Sequence, residues 1–265
     1  MAKVEAIGGF FPMDEQGNII NPTDRRLISD VWYPVLHAFL QIYQTHFGTA
    51  LKSMWVRGSL ARGQVRAGWS DIDVFALIDS DPFCRWEALN LSAEQENYVR
   101  QLLPVGFKSV QWEMMYSNFN EYKVKEMPRI AMLIKTQSLC WWGKNIEQEL
   151  PHYQPGPDFL LNHRWLSADW AMLQRKKDGT IHDYQGFLKT LIRTAFELVM
   201  IRLGKYTPDL YWCVQSFSQY YPKRGATLKK ILNLYDQPLN GKHRLTTLLE
   251  EITPWIISES KRQFS

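Results

Sequence analysis

The chain has 265 residues, 45% of them apolar and 22% charged, so it is long enough for one large domain or two small ones and has a globular composition. That excludes disordered and collagen-like classes, and the aromatic share of 14% provides for a substantial core. The 31 Lys and Arg against 27 Asp and Glu leave a net charge of +4, which suits a small anionic ligand and is too weak to mark a nucleic-acid binder.

The first predicted element is a helix opening at Pro22-Thr23-Asp24, where Thr23 or Asp24 can cap it. Leu27, Ile28, Val31, Trp32, Val35, Leu36, Phe39 and Leu40 recur at helical spacing, and Gly48 closes it. A short strand, Met54-Trp55-Val56, runs into Gly58-Ser59. Residues 60–70, rich in Gly and Arg, read as a loop or a turn of helix. Asp71 to Ile78 is a strand by its Ile, Val and Phe content. Ala93 to Leu103 reads as a helix, Ser109 to Met115 as a third strand, and Ile130 to Cys140 as a buried helix. PHYQPGP at 151–157 is the best linker, because three prolines and a glycine cannot continue a helix. Beyond it the pattern is helical almost throughout. Tyr184 to Leu203 carries the longest apolar stripe and stops at Gly204, followed by Leu210 to Phe217, Leu228 to Leu234 and a helix from Leu245. The expected class is α+β: a mixed α/β domain over residues 1–150 and an all-α domain over 151–265.

The chemistry concentrates in VRGSLARGQVRAGWSDIDVFALI, Val56 to Ile78. Side chains alternate along a strand, so Asp71 and Asp73 project the same way, roughly 7 Å apart. Two carboxylates on one face repel, and a hard divalent cation relieves that cost. Magnesium in particular takes one or two carboxylates and completes its shell with substrate phosphates. Gly58 lets the backbone approach a phosphate closely, and the Ser59 N–H and hydroxyl can donate to it. A Gly-Ser turn facing two aspartates therefore reads as a triphosphate and metal site.

This segment resembles the signature of polymerase-β-like nucleotidyltransferases, a Gly-Gly or Gly-Ser turn followed by Asp-x-Asp or Asp-x-Glu; here Leu60 to Ser70 separate the two parts. The C-terminal half resembles, at the level of pattern, aminoglycoside adenylyltransferase-like members, through Leu139-Cys140-Trp141-Trp142-Gly143 and the stretch from Arg193 to Pro222. The resemblance implies an N-terminal nucleotidyltransferase domain, a helical domain closing over the nucleotide, and two magnesium ions on Asp71 and Asp73. It also implies a third carboxylate on a later strand, for which Glu113 is the candidate as base, metal ligand or both, with Glu121 and Glu126 as weaker rivals. Asp79 and Asp81 lie beyond the strand. Gly58, Ser59 and Arg62 would meet the triphosphate, and Lys189 with Arg193, one turn apart on the long helix, would assist. Arg66 reads as solvated.

The implied reaction moves a nucleoside monophosphate, AMP from ATP by preference, onto a hydroxyl acceptor, for which the resemblance suggests an aminoglycoside-type small molecule. That acceptor is a polycation and wants an acidic pocket, yet Asp158, Asp169, Asp183, Glu197 and Asp209 are scattered. Two alternatives stay open: the same chemistry on RNA or protein, and a non-catalytic nucleotide-binding or antitoxin-like regulator. Three cysteines, Cys84, Cys140 and Cys213, form no close pair, which excludes disulfide frameworks and CxxC motifs and points to a reducing compartment. The six His include no HExxH, and neither a GxSxG elbow nor a GxxxxGK[ST] loop is present. No signal peptide is read in MAKVEAIGGFFPMDE and no apolar run reaches membrane-span length, so a cytoplasmic protein without membrane partners is expected.

Overall fold

The computed structural model describes residue 6 and residues 8–67, 70–79, 87–108, 110–119, 128–176 and 179–264. Glu121, Glu126, Asp81, Cys84, Lys177 and Asp178, and the first residue of the expected third strand, Ser109, lie outside them. The chain divides into two compact units, Pro12–Tyr153 and Gln154–Ser265, the latter joined by the segment up to Phe11. That segment is tied in by Phe11 N–H to the Tyr206 carbonyl at 2.8 Å and by Gly9 N–H to Asp209 Oδ2 at 3.0 Å.

The first unit is built on a five-stranded sheet in the order β3-β4-β2-β1-β5. The strands are β1 (Leu51–Arg57), β2 (Ile72–Ile78), β3 (Glu87–Ala88), β4 (Trp112–Asn118) and β5 (Ser138–Gly143). β1 is antiparallel to both β2 and β5, whereas β2 and β4 are parallel. Parallel neighbours need a crossover, and the one here carries α3 (Ala93–Leu102), which opens with a reciprocal cap between Ser92 and Gln95. Alternation divides each strand. Met54 and Val56 of β1, Ile72, Val74 and Ala76 of β2, and Met114 of β4 join one core with α1 (Tyr33–Phe47) and with Val99 and Leu103. Trp55 and Phe75 stack on the opposite face at 6.2 Å. Tyr43 reaches from α1 to the seam between the parallel strands, donating to the carbonyls of Val74 at 3.3 Å and Met115 at 2.7 Å.

Three expectations need correction. The helix foreseen from residue 24 begins only at Tyr33; before it stand two 3-10 turns, Arg25–Leu27 and Asp30–Trp32. Pro34 supplies the reason. It has no N–H to give to residue 30, so it fits a helix only in the first turn. Asp24 caps the first 3-10 turn, accepting from Arg26 N–H at 2.8 Å, and Leu27 and Val31 are left exposed. The second correction concerns residues 130–140. The helix, α4 (Pro128–Gln137), ends at Gln137, and Ser138 begins β5, which pairs with β1. An edge of β1 was available to be covered, and aromatic residues at 141–142 suit a pleated surface. Trp141 is buried there beneath the Arg25 guanidinium, 4.2 Å from its ring centre. The third concerns β4, which starts at Trp112, so that Val110 and Gln111 precede the strand.

The second unit is helical: α5 (His163–Arg175), α6 (Ile181–Leu203), α7 (Leu210–Tyr220), α8 (Pro222–Leu232) and α9 (Lys242–Phe264). α6 opens with a reciprocal cap between Thr180 and Asp183 and closes on Gly204 at φ +63°, a left-handed position that glycine adopts without strain. Its buried Glu197, 3% exposed, is the anchor of the neighbouring helix. It accepts from the backbone N–H groups of Leu161 (2.9 Å), Asn162 (2.7 Å) and His163 (3.0 Å), from Asn162 Nδ2 (2.7 Å), and it meets His163 Nδ1 at 3.1 Å. A carboxylate satisfies the orphan donors at the start of α5 that no side chain of α5 itself caps. Replacing Glu197 by Gln turns two of its acceptor positions into donors facing donors. Glu197→Gln is expected to lower the unfolding free energy by roughly 1.5–3 kcal/mol, the worth of a hydrogen bond to a charged group. Denaturant melts of the two proteins check this, and equal midpoints would remove Glu197 from this role.

Candidate active site

Four residues at one end of the sheet stand in register. Ser138 opens β5, Arg57 closes β1, and Asp73 and Glu113 are each the second residue of their strands. They are paired as Ser138–Arg57, Arg57–Asp73 and Asp73–Glu113 across adjacent strands. Directly opposed residues hold their Cβ atoms about 4.5–5.5 Å apart and project to the same face. The carboxyl-bearing positions of β2 and β4 are therefore neighbours, brought together by a parallel pairing that joins residues 40 positions apart in sequence.

Beside them the chain turns. Gly58 follows Arg57 at φ +74° and opens α2 (Gly58–Ala61). A Cβ on Gly58 would lie 2.8 Å from Asp73 Oδ2, so glycine is required twice over, by backbone conformation and by the carboxylate packed against it. The other oxygen of Asp73, Oδ1, lies 3.5 Å from Arg57 Nη2, and both side chains are about a quarter exposed, 26% for Arg57 and 23% for Asp73. Ser59, Arg62 and Asp71 are half-buried, and Glu113 is exposed. Ser59 accepts at its carbonyl from Gln64 N–H (2.8 Å), Arg62 Nε donates to Gln64 Oε1 (3.2 Å), and Ser70 Oγ accepts from Arg66 N–H (2.9 Å), so the loop after α2 folds back on itself. Asp71 immediately precedes β2, where Ile72 N–H donates to the Gln111 carbonyl at 2.9 Å. Asp79, at the far end of β2, pairs with Lys52 at 3.3 Å, well removed along the strand from Asp73.

The donor set fits a hard divalent cation in kind. Asp73 and Glu113 present carboxylates from adjacent strands, with Asp71 two residues before Asp73. Among the described residues, however, no group of three or more His, Cys, Asp or Glu side chains is gathered closely enough to hold a metal ion by itself. One or two carboxylates with phosphate oxygens completing the shell is the arrangement magnesium favours, and these residues meet that description. Neither described cysteine competes as a nucleophile. Burial pushes the Cys140 thiol up to about 11 and the Cys213 thiol well above its ordinary value, so both stay protonated near neutral pH.

Lys189 and Arg193 belong to the helical unit, on α6, where Arg193 Nε donates to the Pro208 carbonyl at 3.2 Å. Of the acidic residues noted for a cationic acceptor, Glu197 is consumed in anchoring α5. Asp209 accepts from Gly9. Asp183 caps α6 and is held by Lys176 at 2.6 Å, which draws its carboxyl down to about 2. These three serve the fold of the helical unit. Arg57 is the residue that motif reading passed over. Its only sequence signal is its place immediately before Gly58, and its partner emerges only when the register of β1 on β2 is known.

No family model matches the sequence, and no curated protein matches it either. Among solved structures the chain is similar to spectinomycin adenyltransferase from Enterococcus faecialis, determined with ATP and spectinomycin. The identity is 10% and the TM-score 0.46, over 86% of this chain and 99% of that one. Among the described residues no helix is long and apolar enough to cross a membrane.

The Gly58 geometry yields a direct check. Gly58→Ala places an L side chain in the left-handed region, at about 1–2 kcal/mol, and drives a methyl group toward Asp73 Oδ2. The variant is expected to lose about that much unfolding free energy, seen as a lower denaturant midpoint than the parent's, and an unchanged midpoint would mean the turn is not held at positive φ.

Proposed function

We propose that the protein is a nucleotidyltransferase that moves a nucleoside monophosphate, AMP from ATP by preference, from its triphosphate to a hydroxyl on a small-molecule acceptor and releases pyrophosphate. The single observation that supports this most is the register pair Asp73–Glu113 beside the Gly58–Ser59 turn. It joins carboxylates of three-dimensional proximity to a backbone shape suited to phosphate oxygens.

In this reading the Gly58 backbone and the Ser59 N–H and hydroxyl hold the β- and γ-phosphates, with Arg62 alongside. Asp71 and Asp73, with Glu113, hold divalent cations. Such cations, when bound, neutralise charge on the triphosphate and align attacking and leaving oxygens. Glu113, exposed at the strand start, accepts the proton of the acceptor hydroxyl as the new P–O bond forms. Asp73 is the central carboxylate of this set, paired in register with Arg57 on one side and with Glu113 on the other.

A second reading, nucleotide binding without transfer, draws on the Arg57–Asp73 pair, which occupies one oxygen of the central aspartate. The two readings part on turnover. The purified protein, magnesium and labelled nucleoside triphosphates, offered a panel of aminoglycosides, lincosamides, tRNA and protein, is expected to label a small hydroxylated acceptor and release pyrophosphate. Nucleotide binding with no labelled product would favour the second reading. Asp73→Asn, nearly the same size, is expected to abolish transfer without lowering the melting temperature, and Glu113→Gln to slow single-turnover transfer by roughly 10²–10⁴-fold with nucleotide affinity largely kept. Parent-like turnover in Asp73→Asn overturns the assignment.

A further inference from the structure

We propose that Arg57 is the resident counter-cation of Asp73, a positioning residue that balances this carboxylate in the metal-free protein and sets its affinity for a divalent cation by competing for the same oxygen. This inference rests on the nucleotidyltransferase reading of the site.

The geometry divides the Asp73 carboxylate into two differently held atoms. Oδ1 faces the Arg57 guanidinium at 3.5 Å, and Oδ2 lies against Gly58, where even a methyl group would come within 2.8 Å. The backbone leaves Oδ2 little freedom, so the charge that Oδ1 meets decides what Asp73 can bind. Arg57 is placed for this by β pairing, as the residue directly opposite Asp73, not by a long reach from a loop. On its other flank Arg57 is paired with Ser138, which is uncharged and buried and whose hydroxyl donates to the Leu133 carbonyl at 2.8 Å. The row thus runs neutral, positive, negative, negative across four strands. A cation is needed where Asp73 and Glu113 adjoin, because like charges directly opposite destabilise a strand pair. Arg57 supplies half of that compensation from within the sheet. An arriving divalent ion must share or displace the guanidinium at Oδ1, and a fixed positive charge beside the site weakens any further cation in proportion.

The pair is partly exposed, so its effect is modest: the exposed ion-pair range corresponds to roughly a two- to fivefold change in binding. The experiment is a titration of the full chain with Mn²⁺ alone, without nucleotide, following the free-ion electron paramagnetic resonance signal. Arg57→Gln and Arg57→Met remove the charge in two ways, so one remains should the other fail to fold, and Arg57→Lys restores it. Both neutral variants are expected to bind Mn²⁺ about two- to fivefold more tightly than the parent, with the Lys variant close to the parent. A merely structural arginine would leave the affinity unchanged or loosen it on removal, and either result overturns the inference while the site itself stands. A parent protein that binds no Mn²⁺ without nucleotide overturns this inference and leaves the nucleotide-completed site standing, whereas binding that survives Asp73→Asn intact overturns the proposed metal site and this inference together.

Discussion

Sheet register is the constraint on which this site depends. Along β2 the apolar residues Ile72, Val74 and Ala76 point into the core beneath α1, and Asp73 points the other way. Side chains repeat every second residue, so a slip of one position against β1 or β4 would carry Asp73 into that apolar layer and Val74 out of it. Burying an unpaired carboxylate costs several kcal/mol, and the core therefore holds Arg57, Asp73 and Glu113 in line. Tyr43, donating across the seam between β2 and β4, reinforces the same register from the α1 side. The hydrophobic pattern and the charged row are two faces of one pairing.

That arrangement places unlike demands on a short stretch of chain. Gly58 must adopt a left-handed backbone, Asp73 must pack a carboxylate against it, and Arg57 must close a strand while facing that carboxylate. Each feature is mildly unfavourable alone: a glycine costs conformational entropy, and a partly buried ion pair returns little of its desolvation. Local departures from the most stable choice, collected at one end of a sheet whose remainder is well packed, are the pattern expected where a protein keeps residues for binding and chemistry. The buried charge of the helical unit follows the opposite logic. Glu197 is saturated by donors from the start of α5, so its charge serves the fold and has nothing left for a ligand.

Local signals were legible wherever a short stretch of chain decides the outcome by itself. The Gly58-Ser59 turn, the β2 strand, the start of α3 at Ala93 and the Gly204 end of α6 could each be read from neighbouring residues, because turns, caps and alternation act over a few positions. The first helix was misread for a local reason that was also visible: Pro34 forbids the early start that the apolar spacing suggested. β5 was misread for a non-local one. Residues 130–140 read as one apolar, buried helix, and only the vacant edge of β1 turns the last three of them into a strand.

By itself the sequence determined which residue types were available at the candidate site and that Gly58-Ser59 and Asp71-x-Asp73 lay close along the chain. Turn chemistry and strand periodicity are short-range properties, so they could be read without the fold. The tertiary structure alone decided that Glu113 stands directly opposite Asp73, that Arg57 faces the same carboxylate, and that Glu197 is spent on anchoring a helix. Each of these joins positions distant in sequence through strand pairing or helix packing, where the partner is chosen by the burial of whole faces and not by the residues that end up touching.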